Sequence, residues 1–201
     1  MNQYFNSNNA LSKELNNSDY EFAKQKFRFA THDGVFSKEH VDPASEVLLK
    51  SMKGVCNNNS MLDLGCGYGV VGIIAARVFG CDVTFADVNE NALELTRKNC
   101  DLNGVKAEII KSDCFSGLAE KKFGVIALNP PIHAGKTVTY SMYEQSREHL
   151  KNGGKFFIVT FKQHGANSTL EKVKSIYGET NVEIIHKKKG LYVFGATAVK
   201  S

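Results

Sequence analysis

The sequence predicts an α/β fold: a doubly wound, mostly parallel sheet of seven strands, with one antiparallel strand near the C-terminus. Three observations carry that expectation. From Ser60 onward, short apolar runs alternate with longer segments of helical period, which calls for crossover connections and a parallel sheet covered on both faces. The first regular strand runs into a glycine-rich loop, Gly65-Cys66-Gly67-Tyr68-Gly69, and the next strand ends on a carboxylate, Asp87. The last two strand-like runs are separated only by Lys187-Lys188-Lys189-Gly190, a turn so tight that the strands it joins must pair antiparallel.

The elements follow in order. Residues 1–18 are polar and asparagine-rich, which predicts a loose arm (1–19) with a short helix around Leu11 to Leu15, ahead of a single domain over 20–201. Between Tyr20 and Thr31, the aromatics Tyr20, Phe22, Phe27 and Phe29 alternate within two short runs, predicting strand pieces outside the main fold. Asp42-Pro43 opens a helix, with Asp42 as N-cap, Pro43 in the first position, and Val47, Leu48 and Met52 in helical period. Asn57-Asn58-Asn59 is the linker-like stretch. Met61 to Leu64 then reads as a buried strand, Val70 to Phe79 as an apolar helix and Val83 to Ala86 as a strand. Glu90 to Leu102 reads as a helix with Ala92, Leu93, Leu95 and Thr96 facing inward. Strands are expected at Val105 to Ile110, Gly124 to Leu128 and Lys155 to Thr160, and helices at Val138 to Leu150 and Ser168 to Tyr177. Val182 to Ile185 and Leu191 to Ala196 close the chain as strands.

Composition excludes several classes of protein. At ~150 residues per domain, 201 residues make roughly one domain, and 42% apolar residues with 17 glycines suffice for a sizeable core rather than a disordered chain. The formal charge of +4 permits a nucleic-acid partner without indicating one. No apolar run approaches the ~18–20 residues that span a bilayer, and the first residues lack the basic and apolar regions of a secretory signal, so no membrane partner and a cytoplasmic location are expected. Five cysteines without C-x-x-C or His-paired spacing argue against a disulfide framework or a metal site and for small buried thiols.

In a doubly wound sheet, ligands bind beyond the carboxyl ends of the strands. Missing Cβ atoms at Gly65 and Gly67 permit a tight turn and close approach of a ligand to the backbone. Asp87 is placed to accept both hydroxyls of a ribose, so the two features together indicate a nucleoside-containing cofactor. Gly67, Gly69 and Gly72 also match the dinucleotide pattern G-x-G-x-x-G, with Asp87 at the matching distance. Asp63 speaks against a dinucleotide, because a carboxylate beside the loop repels a pyrophosphate and suits a cationic amino-acid moiety. S-adenosylmethionine combines an ammonium, a sulfonium and a ribose. The plain structural role for Asp63 is to cap the start of the following helix. Asp113-Cys114, after the third strand, falls where an adenine edge would lie, or Asp113 caps a short helix. Asn129-Pro130-Pro131-Ile132-His133 follows the fourth strand and holds two of the three prolines, which makes the segment stiff with its carbonyls turned outward.

Asp63-Leu64-Gly65-Cys66-Gly67-Tyr68-Gly69 together with Asn129-Pro130-Pro131 resembles a class I S-adenosylmethionine-dependent methyltransferase acting on nitrogen. A wider set, Gly34-Val35-Phe36-Ser37-Lys38 followed by Asp42 and Ser45, then Asn129 to Lys136, and Phe161-Lys162-Gln163-His164-Gly165-Ala166, resembles the ribosomal RNA small-subunit methyltransferase C family. The resemblance covers the catalytic domain, nearly everything from Tyr20 onward, and departs at Ile132, where an aromatic residue is usual. It implies a Rossmann-like methyltransferase fold, S-adenosylmethionine as cofactor, and transfer to N2 of a guanine in ribosomal RNA or the small ribosomal subunit. Protein glutamine and DNA adenine amines remain alternatives, as does, outside the class, an NAD-dependent oxidoreductase. The implied cofactor-binding residues are Asp63, Gly65, Cys66, Gly67, Asp87, Val88, Asp113 and Cys114. The implied catalytic residues are Asn129, Pro130 and Pro131, with Phe36, Lys38, Ile132, His133 and Lys136 towards the substrate.

Overall fold

The computed structural model describes residues 16–31, 41–131 and 135–199. A hairpin, β1 (Asn16–Phe22) and β2 (Gln25–Thr31), precedes helix α1 (Pro43–Met52). The α/β body follows as β3 (Ser60–Leu64), α2 (Val70–Phe79), β4 (Asp82–Asp87), α3 (Glu90–Asn103), β5 (Glu108–Lys111) and β6 (Phe123–Leu128). It continues through α4 (Gly135–Glu148), β7 (Leu150–Phe161), α5 (Ala166–Tyr177), β8 (Val182–Lys188) and β9 (Leu191–Thr197).

The seven strands β3 to β9 form one sheet in the order β5-β4-β3-β6-β7-β9-β8. All run parallel except β9, which pairs antiparallel with both β7 and β8. Winding goes outward from β3 to β5 and then resumes on the other side with β6. The carboxyl ends of β3 and β6 therefore flank the switch point where a doubly wound sheet takes its ligand.

Each strand sends alternate residues to opposite faces. Met61, Val125, Ala127, Phe157 and Val159 join the cluster beneath α1, α2 and α3, whereas Leu62, Leu64, Ile126, Leu128, Phe156 and Ile158 join the cluster that includes Met142 and Tyr143 of α4 and Val173 and Tyr177 of α5. β6 is buried at every position and β3 at all but its first, and this is why they read as continuous apolar runs.

The hairpin forms its own two-stranded sheet, as expected, and α3 anchors it. Asn103 accepts from Arg28 N at 3.1 Å and donates to Arg28 O at 2.8 Å. Asn99 does the same at Ala30, at 2.7 and 3.1 Å. Two carboxamides one helical turn apart thus pair with the edge of β2 as a further strand would.

Several boundaries differ from the sequence expectation. β1 starts at Asn16, inside the stretch expected as an arm, and residues 1–15 lie outside the described residues. β5 starts only at Glu108, because Val105 N bonds back to Cys100 O and closes the end of α3. β7 begins at Leu150, five residues early, pairing with Phe123 before a register shift. Lys187 and Lys188 belong to β8 rather than to a turn. β8 is the outer edge of the sheet and buries none of its residues, so apolar patterning cannot mark its end there, and lysines on an exposed edge discourage pairing with other chains.

Candidate functional site

The strand register lines up the chemistry proposed from sequence. Leu64 is the partner of Ala86 on one side and Leu128 on the other. The next residues along each strand, Asp87, Gly65 and Asn129, therefore stand side by side at the carboxyl edge, one strand spacing (~4.8 Å) apart. Asp87 in turn pairs with Lys111, and its carbonyl receives Ser112 N at 2.9 Å, which brings Asp113 and Cys114 to the end of the row.

The glycine loop is tied down from below and open above. Gly65 N and Cys66 N donate to Ala86 O at 2.8 and 3.1 Å, and Gly67 N donates to Asp87 Oδ2 at 2.9 Å. Gly65 and Gly67 hold left-handed backbone angles (φ +67° and +58°), and a Cβ built on either meets nothing within 4 Å. The space beside these two residues is thus available to a ligand. Gly72 differs: a Cβ there would lie 2.2 Å from the Phe85 ring, so this glycine lets α2 close on the sheet.

Two carboxylates face this loop, and backbone amides hold both. Asp63, only 4% exposed, accepts from Gly72 N at 2.8 Å, so it does cap the start of α2. Burial pushes its pKa up to about 7 against the opposing pull of the Gly72 bond, and the charge of Asp87 adds to the rise. Asp87 accepts from Asn89 N at 2.9 Å as well as from Gly67 N, and burial raises its pKa too. Burial first, and then these two carboxylates, raise the thiol pKa of Cys66. Two enclosed acids beside an open glycine loop suit a cation with ribose hydroxyls and oppose a pyrophosphate. The residues present therefore fit S-adenosylmethionine. Val88, next to Asp87, exposes an apolar side chain at the same edge. Asp113 is exposed, in a run of turns rather than at the start of a helix, and Cys114 is half-buried with φ +50°.

Asn129 is half-buried, as are Pro130 and Pro131. Its Nδ2 donates to Asp42 Oδ2 at 2.8 Å and to Ser45 Oγ at 3.2 Å. The other oxygen of Asp42 accepts from Ala44 N at 3.1 Å, capping α1. Lys136 is exposed in the first turn of α4. Phe36, Lys38, Ile132 and His133 lie outside the described residues.

The contacts between α3 and the loop were absent from the sequence reading. Thr96 Oγ1 donates to Gly67 O at 2.9 Å, and Asn99 Nδ2 donates to Tyr68 O at 2.8 Å. Their signal in the sequence is Thr96, Asn99 and Asn103, polar residues at helical spacing that continue the apolar face of α3. Among the described residues, no cluster of His, Cys, Asp and Glu could hold a metal ion, and no helix is long and apolar enough to cross a membrane.

A doubly wound sheet with a glycine loop at the switch point, an acid ending the neighbouring strand and Asn-Pro-Pro on the other side defines an S-adenosylmethionine-dependent methyltransferase. The methyltransferase small domain family matches residues 26–195, and the chain belongs to that family. It is 36% identical to the uncharacterized protein YbxB of Bacillus subtilis over 199 residues, covering 98% of each chain. It is 40% identical to ribosomal RNA small subunit methyltransferase C of Aeromonas hydrophila over 131 residues, 63% of this chain and 37% of that one. Among solved structures, it resembles the T. Thermophilus 16S rRNA N2 G1207 methyltransferase (RsmC), in complex with AdoMet and guanosine. There the TM-score is 0.83 and the identity 25%, covering 94% of this chain and 52% of that one. The chain thus spans about half or less of the length of the ribosomal RNA methyltransferases it matches.

Proposed function

We propose that this chain transfers the methyl group of S-adenosylmethionine to an exocyclic nitrogen, N2 of a guanine in small-subunit ribosomal RNA, with residues 20–201 as one catalytic domain working in the cytoplasm. The observation that carries the reading is the register Leu64–Leu128, which sets the open glycine loop beside Asn129-Pro130-Pro131. Resemblance to enzymes named for this reaction supports the choice of target.

S-adenosylmethionine supplies an electrophilic methyl group on a sulfonium. In this reading Asp87 would hold the ribose hydroxyls, and Val88, Asp113 and Cys114 would hold the adenine. Asp63 would hold the ammonium, and Gly65, Cys66 and Gly67 would let the ligand approach the backbone. On the acceptor side, the guanine amine is a poor nucleophile because its lone pair is delocalised into the ring. The Asn129 side-chain oxygen and the Pro130 carbonyl accept its two N–H bonds and draw electron density towards nitrogen. These bonds strengthen as positive charge develops on the attacking nitrogen, so they act on turnover more than on binding. Pro131 keeps the segment stiff. A guanine within a helix must first be flipped out, which costs a few kcal/mol. Ile132 and His133 after the prolines, Lys136, and Phe36 and Lys38 would then meet the base and its phosphates.

The test uses cofactor with an isotope-labelled methyl group and three acceptors: unmodified small-subunit ribosomal RNA, the assembled subunit and total protein. Digestion to nucleosides and mass spectrometry should place the label in N2-methylguanosine. Label confined to glutamine, to an adenine amine or to a ribose would overturn the guanine assignment.

A further inference from the structure

We infer that Asp42 and Ser45 are positioning residues that lock the Asn129 amide with its oxygen towards the acceptor site, making that site selective for a nitrogen that carries hydrogens. The inference rests on the proposed role of Asn129 and explains what makes that role possible. A carboxamide has two ends of opposite character, an acceptor oxygen and a donor NH2 group, and it is nearly symmetric in shape. Nothing in an Asn-Pro-Pro segment by itself decides which end meets the substrate. With the NH2 end outward, the site would present hydrogens to the hydrogens of an amine.

The choice is made on the far side of Asn129. Asp42 Oδ2 stands 2.8 Å from Nδ2, and an ionised carboxylate only accepts, so the NH2 group must face it. The second N–H goes to Ser45 Oγ at 3.2 Å, on a residue that is 9% exposed. Both amide hydrogens are thereby used, and the oxygen is turned away from α1. Asp42 is itself fixed, because its other oxygen caps α1 through Ala44 N. A hydrogen bond from Nδ2 to a charge also polarises the amide and makes its oxygen a stronger acceptor. The resulting site offers acceptance alone, which suits an exocyclic amine and turns away a bare ring nitrogen.

Asp42→Asn tests this directly. Asparagine is as good an N-cap as aspartate, so α1 and the fold should persist. The introduced amide must keep its oxygen on Ala44 N, which turns its NH2 group towards Asn129 and drives the Asn129 amide to flip. The expected results are a methyl-transfer rate lower by roughly the 100- to 1,000-fold that loss of one preorganised polar group costs, an unchanged cofactor dissociation constant and a melting temperature near that of the native chain. Ser45→Ala should give a smaller loss and Ser45→Thr, which keeps the hydroxyl, close to none. In an Asn129→Ala background, Asp42→Asn should cost nothing more, since residues acting through one group are not additive. An independent readout is the side-chain amide signal of Asn129, assigned by its absence in Asn129→Ala. In the native chain it should be shifted downfield and slow to exchange, and Asp42→Asn should move it and speed its exchange. If Asn129→Ala transfers methyl groups at the native rate, the catalytic reading of Asn129 is wrong, and the amide signal alone decides the clamp. If Asn129→Ala is slow but Asp42→Asn is as fast as native with an unmoved amide signal, the clamp is overturned and the reading of Asn129 stands. Losses that multiply in the double variant would likewise overturn it.

Discussion

In the proposed site, the carboxylates assigned to the cofactor side and the amide assigned to the acceptor side are held by different kinds of hydrogen bond. Asp63 and Asp87 are gripped by backbone N–H groups of Gly72, Gly67 and Asn89, within a loop that is itself pinned to Ala86. Asn129 is held by the side chains of Asp42, which caps α1, and Ser45 within it, more than eighty residues earlier in the chain. Backbone donors are positioned by the fold itself and survive most substitutions nearby. A clamp made of side chains can be inverted by one change of atom. The cofactor side should therefore respond to mutation in affinity and stability, and the acceptor side in rate.

The largest expected effect tests the first half of that contrast. Burial raises Asp63 to a pKa of about 7, where an ordinary aspartate titrates near ~3.9, and that gap corresponds to roughly 4 kcal/mol. The neutral acid is the form that the folded chain prefers. Its contribution to stability is thus fully present below pH ~4 and is lost as pH rises through about 7. Asp63→Asn keeps an oxygen for Gly72 N but cannot ionise. Chemical denaturation from pH 4 to 8 should show the variant gaining on the native chain by a few kcal/mol as pH rises. Its affinity for S-adenosylmethionine should fall, and the native chain's rise in affinity between pH 6 and 8 should flatten. Parallel stability curves for the two chains across that range would remove Asp63 from the titration.

A smaller effect is expected at Asp87. Asp87→Asn keeps the shape and one acceptor but removes the charge. Losing one charge-assisted bond to the ribose, at ~1.5–3 kcal/mol, predicts cofactor binding weaker by roughly 10- to 100-fold. Turnover at saturating cofactor should change little, the opposite of the pattern expected at Asn129. Calorimetric titration beside single-turnover kinetics separates the two quantities. A rate loss at Asp87→Asn with unchanged affinity would break the contrast between the two sides.

The same contrast explains what could be read from the sequence. The cofactor side is built from contiguous signals: a buried strand, a glycine loop, the next strand and its terminal acid. Each depends on local periodicity or on what a missing Cβ permits. The doubly wound, mostly parallel sheet was legible for the same reason, since alternation and crossover rules restrict it. The grip of Asp42 and Ser45 on Asn129 was not legible, although all three residues stood within recognised motifs, because it joins distant segments through side-chain geometry. Asn99 and Asn103 were missed on other grounds. Buried asparagines on a helix face look like interruptions of the apolar period, and the edge of β2, with the glycine loop at Asn99, explains their burial. The end of β8 was misplaced because an edge strand that buries nothing carries no alternation to read.

The smallest expected effect lies farthest from the reacting atoms, at the lysines of β8 and its turn. β9 runs antiparallel, so Leu191, which follows the turn, sits opposite Phe161 at the carboxyl end of β7. Lys187, Lys188 and Lys189 therefore share the edge that carries Asn129, three strands further along, at ~4.8 Å per strand. Lys162 N donates to Gly190 O at 2.7 Å and continues the basic row towards β6. Lys187 Nζ lies 5.4 Å from the centre of the Tyr192 ring, so part of this lysine covers an aromatic face. If RNA crosses this row, replacing the three lysines with serine should weaken its binding at low salt and flatten the dependence of log affinity on log salt. Each lost phosphate contact should reduce the slope by about 0.7 to 0.9. Replacement by arginine keeps the charge and should leave the slope in place. Cofactor affinity and the rate with bound RNA should stay as they were, since neither side of the row between Asp87 and Asn129 is touched. An unchanged slope in the serine variant would remove these three lysines from the RNA site. The basic edge strand would then serve only to keep β8 from pairing with other chains.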